Sequence, residues 1–406
     1  MFGIVYWKIM IISCVAAITL WPAATPQAQP VAFAEWLKEL KTEARARGIR
    51  PVILDSALAG VRPIKRVIEL DRRQPEFTLV FWDYLSNSVN DQRVWRGRKL
   101  LAEHRPLLKR VARKYGVQPR FLVAFWGLES NFGDFTGKFS VIGALVTLAF
   151  DPRRAKFFRE QLLAALSLIN DGHMAVGVKG SWAGAMGNHQ FIPTTYRDFA
   201  VDFDGDGRRD LWNSLPDIFA SAANYLSRSG WDDRYTWGRE IRLPPGFNPE
   251  VSALDIRKPL SEWQQLGVRR FDGRDLPAVD LDGSVILPAG FNGPAFLVYK
   301  NYRTVLVWNR SIFYAIAVGH LADRINGGGP LLAVRPDNEV TLSRADIIDM
   351  QRRLMRRGFD PGAADGTAGP MTRKAIKAFQ KSVHLPADGF PSSGLLERLR
   401  DTGSSQ

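Results

Sequence analysis

One stretch constrains this chain more than any other. Phe121-Leu-Val-Ala-Phe-Trp-Gly-Leu-Glu-Ser-Asn-Phe-Gly133 is an apolar run of helical length that presents a single carboxylate, Glu129. It then closes in the polar, glycine-bounded turn Ser130-Asn131-Phe132-Gly133. A carboxylic acid set among Trp and Phe is costly to ionise, so desolvation is expected to raise its pKa towards the working pH. That is the property a general acid needs. The same pattern also fits an exposed Glu at a helix C-terminus, and the stretch taken alone favours that blander reading.

The surroundings decide between the two. A length of 406 residues suggests two or three domains, and a 46% hydrophobic content is enough to bury sizeable cores. The formal charge of +14 implies a polyanionic or acidic partner. Nucleic acid, anionic lipid and an acidic cell-wall polymer all fit that charge. No Lys/Arg-rich block or nucleic-acid module is present, which argues against nucleic acid. Residues 1–28 read as an export signal peptide or N-terminal anchor: Lys8 precedes an apolar run over 9–21, followed by a small, Pro-rich stretch to Pro30. Cleavage after Ala28 is well placed, and Ala32-Phe33-Ala34 offers a later small-x-small site. The only cysteine, Cys14, ends a passable lipoprotein box, but apolar residues continue past it to Trp21. If the signal is removed, no cysteine remains, and with it no disulfide and no thiol nucleophile. Export places the protein in the periplasm, with a membrane link only through such an anchor.

Helical periodicity fills residues 34–128. Residues 34–47 form one helix stopped at Gly48, and 94–115 read as a single helix stopped at Gly116. Gln118-Pro119 then opens the helix that carries Glu129. Residues 141–148 are apolar, and 151–169 form a helix with Pro152 in its first turn. Between about 235 and 308 the texture changes to a β-rich insertion, with strands expected over 238–244, 284–288 and 295–308. Residues 311–325 return to helix and end at Asn326-Gly-Gly-Gly-Pro330. A linker over 331–341 leads to a separate small unit, 342–400, with helices over 342–357, 370–380 and 392–399.

Two loops carry candidate chemistry. Gly180-Ser-Trp-Ala-Gly-Ala-Met-Gly-Asn-His-Gln-Phe-Ile-Pro193 is rich in small residues, which lets backbone approach a ligand or, equally, a helix. Asp202-Phe-Asp-Gly-Asp-Gly-Arg-Arg-Asp210 has the front half of a calcium-loop pattern. Asp202, Asp204 and Asp206 would converge on a hard cation, with the carbonyl of Arg208 at position seven. Position twelve is Asn213, where a standard loop has a bidentate Glu, so Asp217 is the expected replacement. A structural calcium is therefore expected, against a metal-free Asp/Gly turn.

Several motifs in order carry a family resemblance. These are Tyr115-Gly-Val-Gln-Pro119, Trp126 to Gly133, Gly180 to Gly187, Gln190-Phe-Ile-Pro-Thr-Thr-Tyr196, Asp202 to Gly207, Ala223-Asn-Tyr-Leu226 and Trp308-Asn-Arg-Ser-Ile-Phe-Tyr314. Together they make residues 34–330 resemble the membrane-bound lytic transglycosylase B family of bacterial cell-wall enzymes. Residues 342–400 resemble a three-helix peptidoglycan-binding domain, through Gln351, Leu354, Gly358, Asp365-Gly366, Thr372, Ala375, Phe379-Gln380 and Asp388-Gly389. The resemblance implies a mainly α (α+β) chain with a lysozyme-like catalytic core, a small β-rich insertion and an appended wall-binding module. It implies cleavage of the β-1,4 bond between N-acetylmuramic acid and N-acetylglucosamine with a 1,6-anhydromuramoyl product. No cofactor is needed for that chemistry. Peptidoglycan glycan strands are the implied partner, with cell-wall synthesis or secretion machinery as further candidates.

The same resemblance assigns Glu129 as the sole catalytic carboxylate, acid first and then base. It places Ser181, Met186, Gln190, Trp308 and Tyr314 around the substrate. Trp308 stands where a relative carries Tyr; an indole stacks on a pyranose but does not donate as a phenol does. Arg153 and Arg154 are candidates for meeting lactyl or stem carboxylates, against a plain surface pair at a helix start. The rival readings are a hydrolytic muramidase on the same fold and a non-catalytic wall-binding protein. The muramidase needs a second carboxylate at roughly 5–9 Å, and Asp134 is the nearest in sequence.

Overall fold

The computed structural model describes residues 28–73, 80–336 and 340–401. The expected export signal lies outside these residues, apart from Ala28, which opens the first helix. Among the described residues no single helix is long and apolar enough to cross a membrane. The chain divides into two compact units, each built from discontinuous stretches: Met1–Arg72 with Phe135–Ile218, and Arg73–Asp134 with Phe219–Gln406.

The first unit is centred on the helix Val141–Phe150, in which every residue from Val141 to Ala149 is buried. Ser140 caps it by accepting from Gly143 N, satisfying one of the N–H groups that a helix start leaves open. The helix packs on Ala155–Asn170, whose buried face includes Leu162, Leu163, Leu166 and Ile169. A short antiparallel ribbon pairs Phe139 with Gly180 and Ser140 with Lys179. It ties the glycine-rich loop to the start of this core helix.

The second unit is built on the helix Pro119–Ser130, buried without a break from Phe121 to Gly127. Around it pack Asp91–Glu103, Arg105–Tyr115 and Ile312–Ile325. The expected single helix over 94–115 is two helices that meet at His104. Pro106 is the cause, because it has no N–H to give and its ring clashes with the carbonyl of the preceding turn. Gly319 lets Ile312–Ile325 lie directly on the Trp237 ring, since a Cβ there would come within 2.1 Å of it.

The β-rich insertion is a five-stranded antiparallel sheet. Its order is Lys258–Pro259, Asp282–Ile286, Ala295–Val298, Gly238–Arg242, Arg269–Arg270. Its core gathers Ile241, Leu260, Trp263, Val268, Val285, Leu297 and Tyr299. The strand expected over 295–308 stops at Val298, and Lys300–Trp308 is a helix. The β-branched content of Thr304, Val305 and Val307 suggested a strand. Burial of Asn301, Tyr302, Thr304 and Val305 on one helical face outweighs that propensity.

The C-terminal helices Arg344–Arg356, Pro370–Ser382 and Ser393–Asp401 enclose their own core of Met350, Leu354, Ile376, Phe379, Leu396 and Leu399. Two glutamines hold its turns in the same way. Gln351 accepts from Gly366 N at 3.0 Å, and Gln380 accepts from Gly389 N at 2.8 Å. Asp388 also accepts from Phe291 N at 2.7 Å, and Lys381 pairs with Glu250, so the three helices are fastened to the sheet.

His320, on Ile312–Ile325, gives the second unit a pH-dependent stability. Burial first, and then the neighbouring Arg324, push its imidazole down to about 4. The folded value lies below the ordinary ~6.5, so the unfolded chain binds the extra proton. Stability is full above pH ~6.5 and is lost as the pH falls towards 4, by about 3 kcal/mol. Denaturant midpoints across this window are expected to fall in the wild type and to fall less in His320→Gln. Parallel slopes in the two proteins would contradict this.

Candidate active site

The helix Pro119–Ser130 ends in a turn that holds Glu129 in place. Asn131 adopts φ 52° and its N–H returns to Trp126 O, the left-handed helix stop at which Asn is tolerated. Phe132 follows at φ 61°, an unusual conformation for a bulky side chain. It is held there because its ring is buried edge-on against Trp126 at 5.7 Å. The ring fits because Gly127 has no Cβ, which would otherwise meet it at 2.8 Å. Ser130 Oγ donates to Trp126 O and accepts from Gly133 N at 2.9 Å. Glu129 itself is half-buried at the rim of this packed end.

Two aromatic donors converge on one oxygen of Glu129. Trp308 Nε1 donates to Oε1 at 2.8 Å, and the Tyr314 hydroxyl donates to the same atom. Trp308 closes the helix Lys300–Trp308, and Tyr314 lies in the first turn of Ile312–Ile325, which Ser311 caps. The chain turns by 118° between these helices, and this turn aims both side chains at the acid. Trp308 is clasped by Phe125 at 4.5 Å and Tyr225 at 5.0 Å between ring centres. Burial, and then the charge of Glu129, hold the Tyr314 phenol far above its ordinary pKa. Tyr314 therefore stays a protonated donor. Trp308 was expected to lack a phenol's donor role; its indole N–H fills that role here. Phe125 and Tyr225 escaped the sequence reading, although both lie inside quoted motifs. Their signal is tertiary, because what marks them is ring contact with Trp308 across the chain.

In the first unit the glycine-rich loop brings Ser181, Met186 and Gln190 together. Ser181 Oγ accepts from Ala183 N at 3.2 Å and Ala185 N at 2.9 Å, so it caps its own turn and keeps its hydroxyl proton for a further acceptor. Gln190 stands at φ 48°, with its amide nitrogen donating to Thr136 O and Gly187 O. No described residue donates to its amide oxygen. Met186 is fully buried and bridges to Phe191, so it supports the loop from behind instead of lining a surface. Arg153 and Arg154 both grip Asp71, which is 3% exposed. In the second unit Asp134 is paired with Arg96 and accepts from Asn131 at 2.9 Å. The Arg96 guanidinium beside it, and then that amide, hold its carboxyl below the usual range.

Comparison with known proteins now separates the possibilities. A family model described as the transglycosylase SLT domain matches residues 32–323. The chain belongs to the SLT-domain transglycosylase family. A peptidoglycan binding domain model matches residues 343–399. The chain is 31% identical to the membrane-bound lytic murein transglycosylase B of Escherichia coli (strain K12) over 256 residues. That match spans 60% of this chain and 66% of the curated relative, just under two thirds of its length. SltB3 from Pseudomonas aeruginosa, solved in complex with NAG-anhNAM-pentapeptide, is similar at 48% identity with a TM-score of 0.87, covering 91% of this chain and 99% of that one. The Escherichia coli lytic transglycosylase Slt35, solved in complex with calcium, is similar at 26% identity with a TM-score of 0.62, covering 72% of this chain and 92% of that one.

The acidic loop of this family member has a donor set that fits a hard cation. Ligand oxygens of Asp202, Asp204 and Asp217 all lie within 4.8 Å of one another. The loop is already wound inward: Asp202 accepts from Gly205 N at 2.6 Å and Gly207 N at 2.9 Å. Asp217 is fully buried and accepts from Phe203 N at 2.6 Å and Asp210 N at 2.8 Å. Burial, and to a smaller extent the charges of Asp204 and Asp202, push its carboxyl up; a cation between them would relieve both effects. Asp206 is not part of this cluster; its carboxylate accepts from Arg208 N at 2.8 Å. Asn213 binds Asp210 instead of facing the cluster.

Proposed function

We propose that this SLT-domain protein is a lytic transglycosylase that cleaves the β-1,4 bond between N-acetylmuramic acid and N-acetylglucosamine in peptidoglycan, leaving a 1,6-anhydromuramoyl end. The observation that carries the reading is a carboxylate, Glu129, fixed at a helix end with two neutral donors on one oxygen. Glu129 in its acid form protonates the leaving glycosidic oxygen. The substrate's 2-acetamido group stabilises the positive charge that develops at C1, as in substrate-assisted glycosidases. Glu129, now a carboxylate, takes the proton of the C6 hydroxyl as that oxygen closes on C1. Trp308 and Tyr314 stabilise the carboxylate made in the first step, while the surrounding apolar packing opposes it. One group thereby serves as acid and then as base.

A hydrolytic muramidase is less well supported. Asp134, the candidate second carboxylate nearest in sequence, is occupied by Arg96 and Asn131. Mass spectrometry of muropeptides released from sacculi tests the distinction, because the anhydro product is one water lighter. Release of reducing muramic acid alone would overturn the proposal.

Tyr314→Phe removes one donor from Glu129 and is expected to lower turnover by about 30-fold, the loss of one hydrogen bond to a charged group at ~2 kcal/mol. Without that donor the carboxylate is less favoured over the acid, so the alkaline limb of the pH–rate profile moves up. A lowered rate with an unmoved profile would make Tyr314 merely structural.

Ser181 and Gln190 supply a hydroxyl proton and an amide oxygen to sugar groups, with Met186 behind them. Arg153 still has the N–H groups of its Nη1 for a stem carboxylate, and Arg154 supports it. The catalytic domain spans about 34–330 with its insertion at 235–308, and the wall-binding module spans 342–400. Export to the periplasm fits a wall substrate. Calcium at Asp202, Asp204 and Asp217 is structural, with the Arg208 carbonyl and Asp206 as outer candidates. Calcium at 100-fold over its dissociation constant is expected to add about 2.7 kcal/mol of stability. Asp217→Asn is expected to abolish that increment in Tm measured with calcium against chelator.

A further inference from the structure

The second unit also holds a polar cavity of about 380 Å³ that the reaction above does not use. Its walls include Trp237, Arg239 and Glu240 from a sheet strand, and His320, Asp323 and Asn326 from a helix end. Tyr314 and Asp323 lie nine residues apart on one helix, a rise of roughly 13 Å. The cavity is therefore remote from the bond that Glu129 would cleave.

Its polar groups are only partly engaged. His320 is 7% exposed, and its imidazole makes no hydrogen bond to a described residue. Arg120 Nε is buried without a hydrogen-bond partner and stands 3.9 Å from Asp323 Oδ1. Asp323 Oδ2 accepts from Trp237 Nε1 at 2.8 Å. Both oxygens of Glu240 are occupied by Leu332 N and Ala333 N. Arg239 in the wall and Arg120 behind it, 3.9 Å from Asp323, offset the two carboxylates, so no net charge selects an ion. Its imidazole and carboxylates do not converge at metal-ligand spacing among the described residues. What remains is an uncharged imidazole, an amide and a carboxylate oxygen, in a volume suited to a small ligand.

The geometry points to a secondary site for a neutral N-acetylhexosamine residue of a glycan strand. This rests on the peptidoglycan reading above. The site gives the strand a hold on the second unit beyond the sugars flanking the cleaved bond.

The test uses the full chain as Glu129→Gln, so that ligand is not turned over, with the tetramer of N-acetylglucosamine as probe. Hydrogen–deuterium exchange is followed at the Glu129 helix and at residues 237–240 and 320–331. Saturable protection of both regions is expected. Adding His320→Gln or Asn326→Ala should shift the midpoint at the cavity by about fivefold, the worth of one lost hydrogen bond. The midpoint at the Glu129 helix should not move. Asn326 is exposed, so its variant keeps the test independent of any folding defect from His320. Protection confined to the Glu129 helix, or a cavity midpoint unmoved by both variants, overturns the secondary site and leaves the cleavage reading intact. Protection confined to the cavity supports the site and counts against glycan binding at Glu129.

Discussion

Replacing Glu129 by Gln is expected to lower turnover of sacculi by on the order of 10³-fold or more, because it removes the proton donor and the later base together. Gln keeps the shape and can still accept from Trp308 and Tyr314, so the surrounding packing should survive. The thermal midpoint is the control. An unchanged Tm with lost anhydromuropeptide release places the defect in the chemistry. Digestion at the wild-type rate would remove Glu129 from the mechanism and favour a wall-binding protein without this activity.

The second large effect concerns stability. Asp71→Ala is expected to cost about 3–4 kcal/mol, near the lower end for breaking a buried ion pair. Asp71 is buried and accepts from both Arg153 and Arg154, with Arg153 Nη2 also reaching the Asp71 carbonyl at 2.8 Å. Loss of the carboxylate leaves two neighbouring guanidiniums to repel each other. Their partial exposure, 46% and 24%, lets water recover some of the loss, which is why the upper end is not expected. Denaturant midpoints of Asp71→Ala against Arg153→Ala check this. If Arg153→Ala leaves stability nearly intact but raises KM for peptide-bearing strands, the free N–H groups of Arg153 meet substrate as proposed.

These two residues show how differently the chain reveals its parts. Glu129 is legible, as one carboxylate in an apolar helix before a polar turn, only once the ordered motifs of the family resemblance stand beside it. Asp71 is not, because its partners are 82 and 83 residues away and nothing in its own segment distinguishes it from a surface acid. The arginines were legible as a pair, but their engagement with a buried carboxylate was not. The acidic loop divides in the same way. Its front half announces a cation site through spacing, and Asp217 was inferred as the replacement ligand. That Asp206 turns away to cap its own loop depends on backbone geometry that spacing does not report. The helix Lys300–Trp308 misled propensity because β-branched residues serve either element, and burial chooses between them.

The order of motifs along the chain was enough to carry the resemblance to the family, and residue type with short-range periodicity pointed to the mainly helical class with its β-rich insertion. Glu129 as the acid came with that resemblance and stands as a proposal. Only the tertiary structure decided what surrounds the acid. The bend between two helices brings Trp308 and Tyr314 onto a single oxygen of Glu129, across 179 and 185 residues of chain. Directional hydrogen bonds between distant segments depend on packing angles, and no local pattern encodes those.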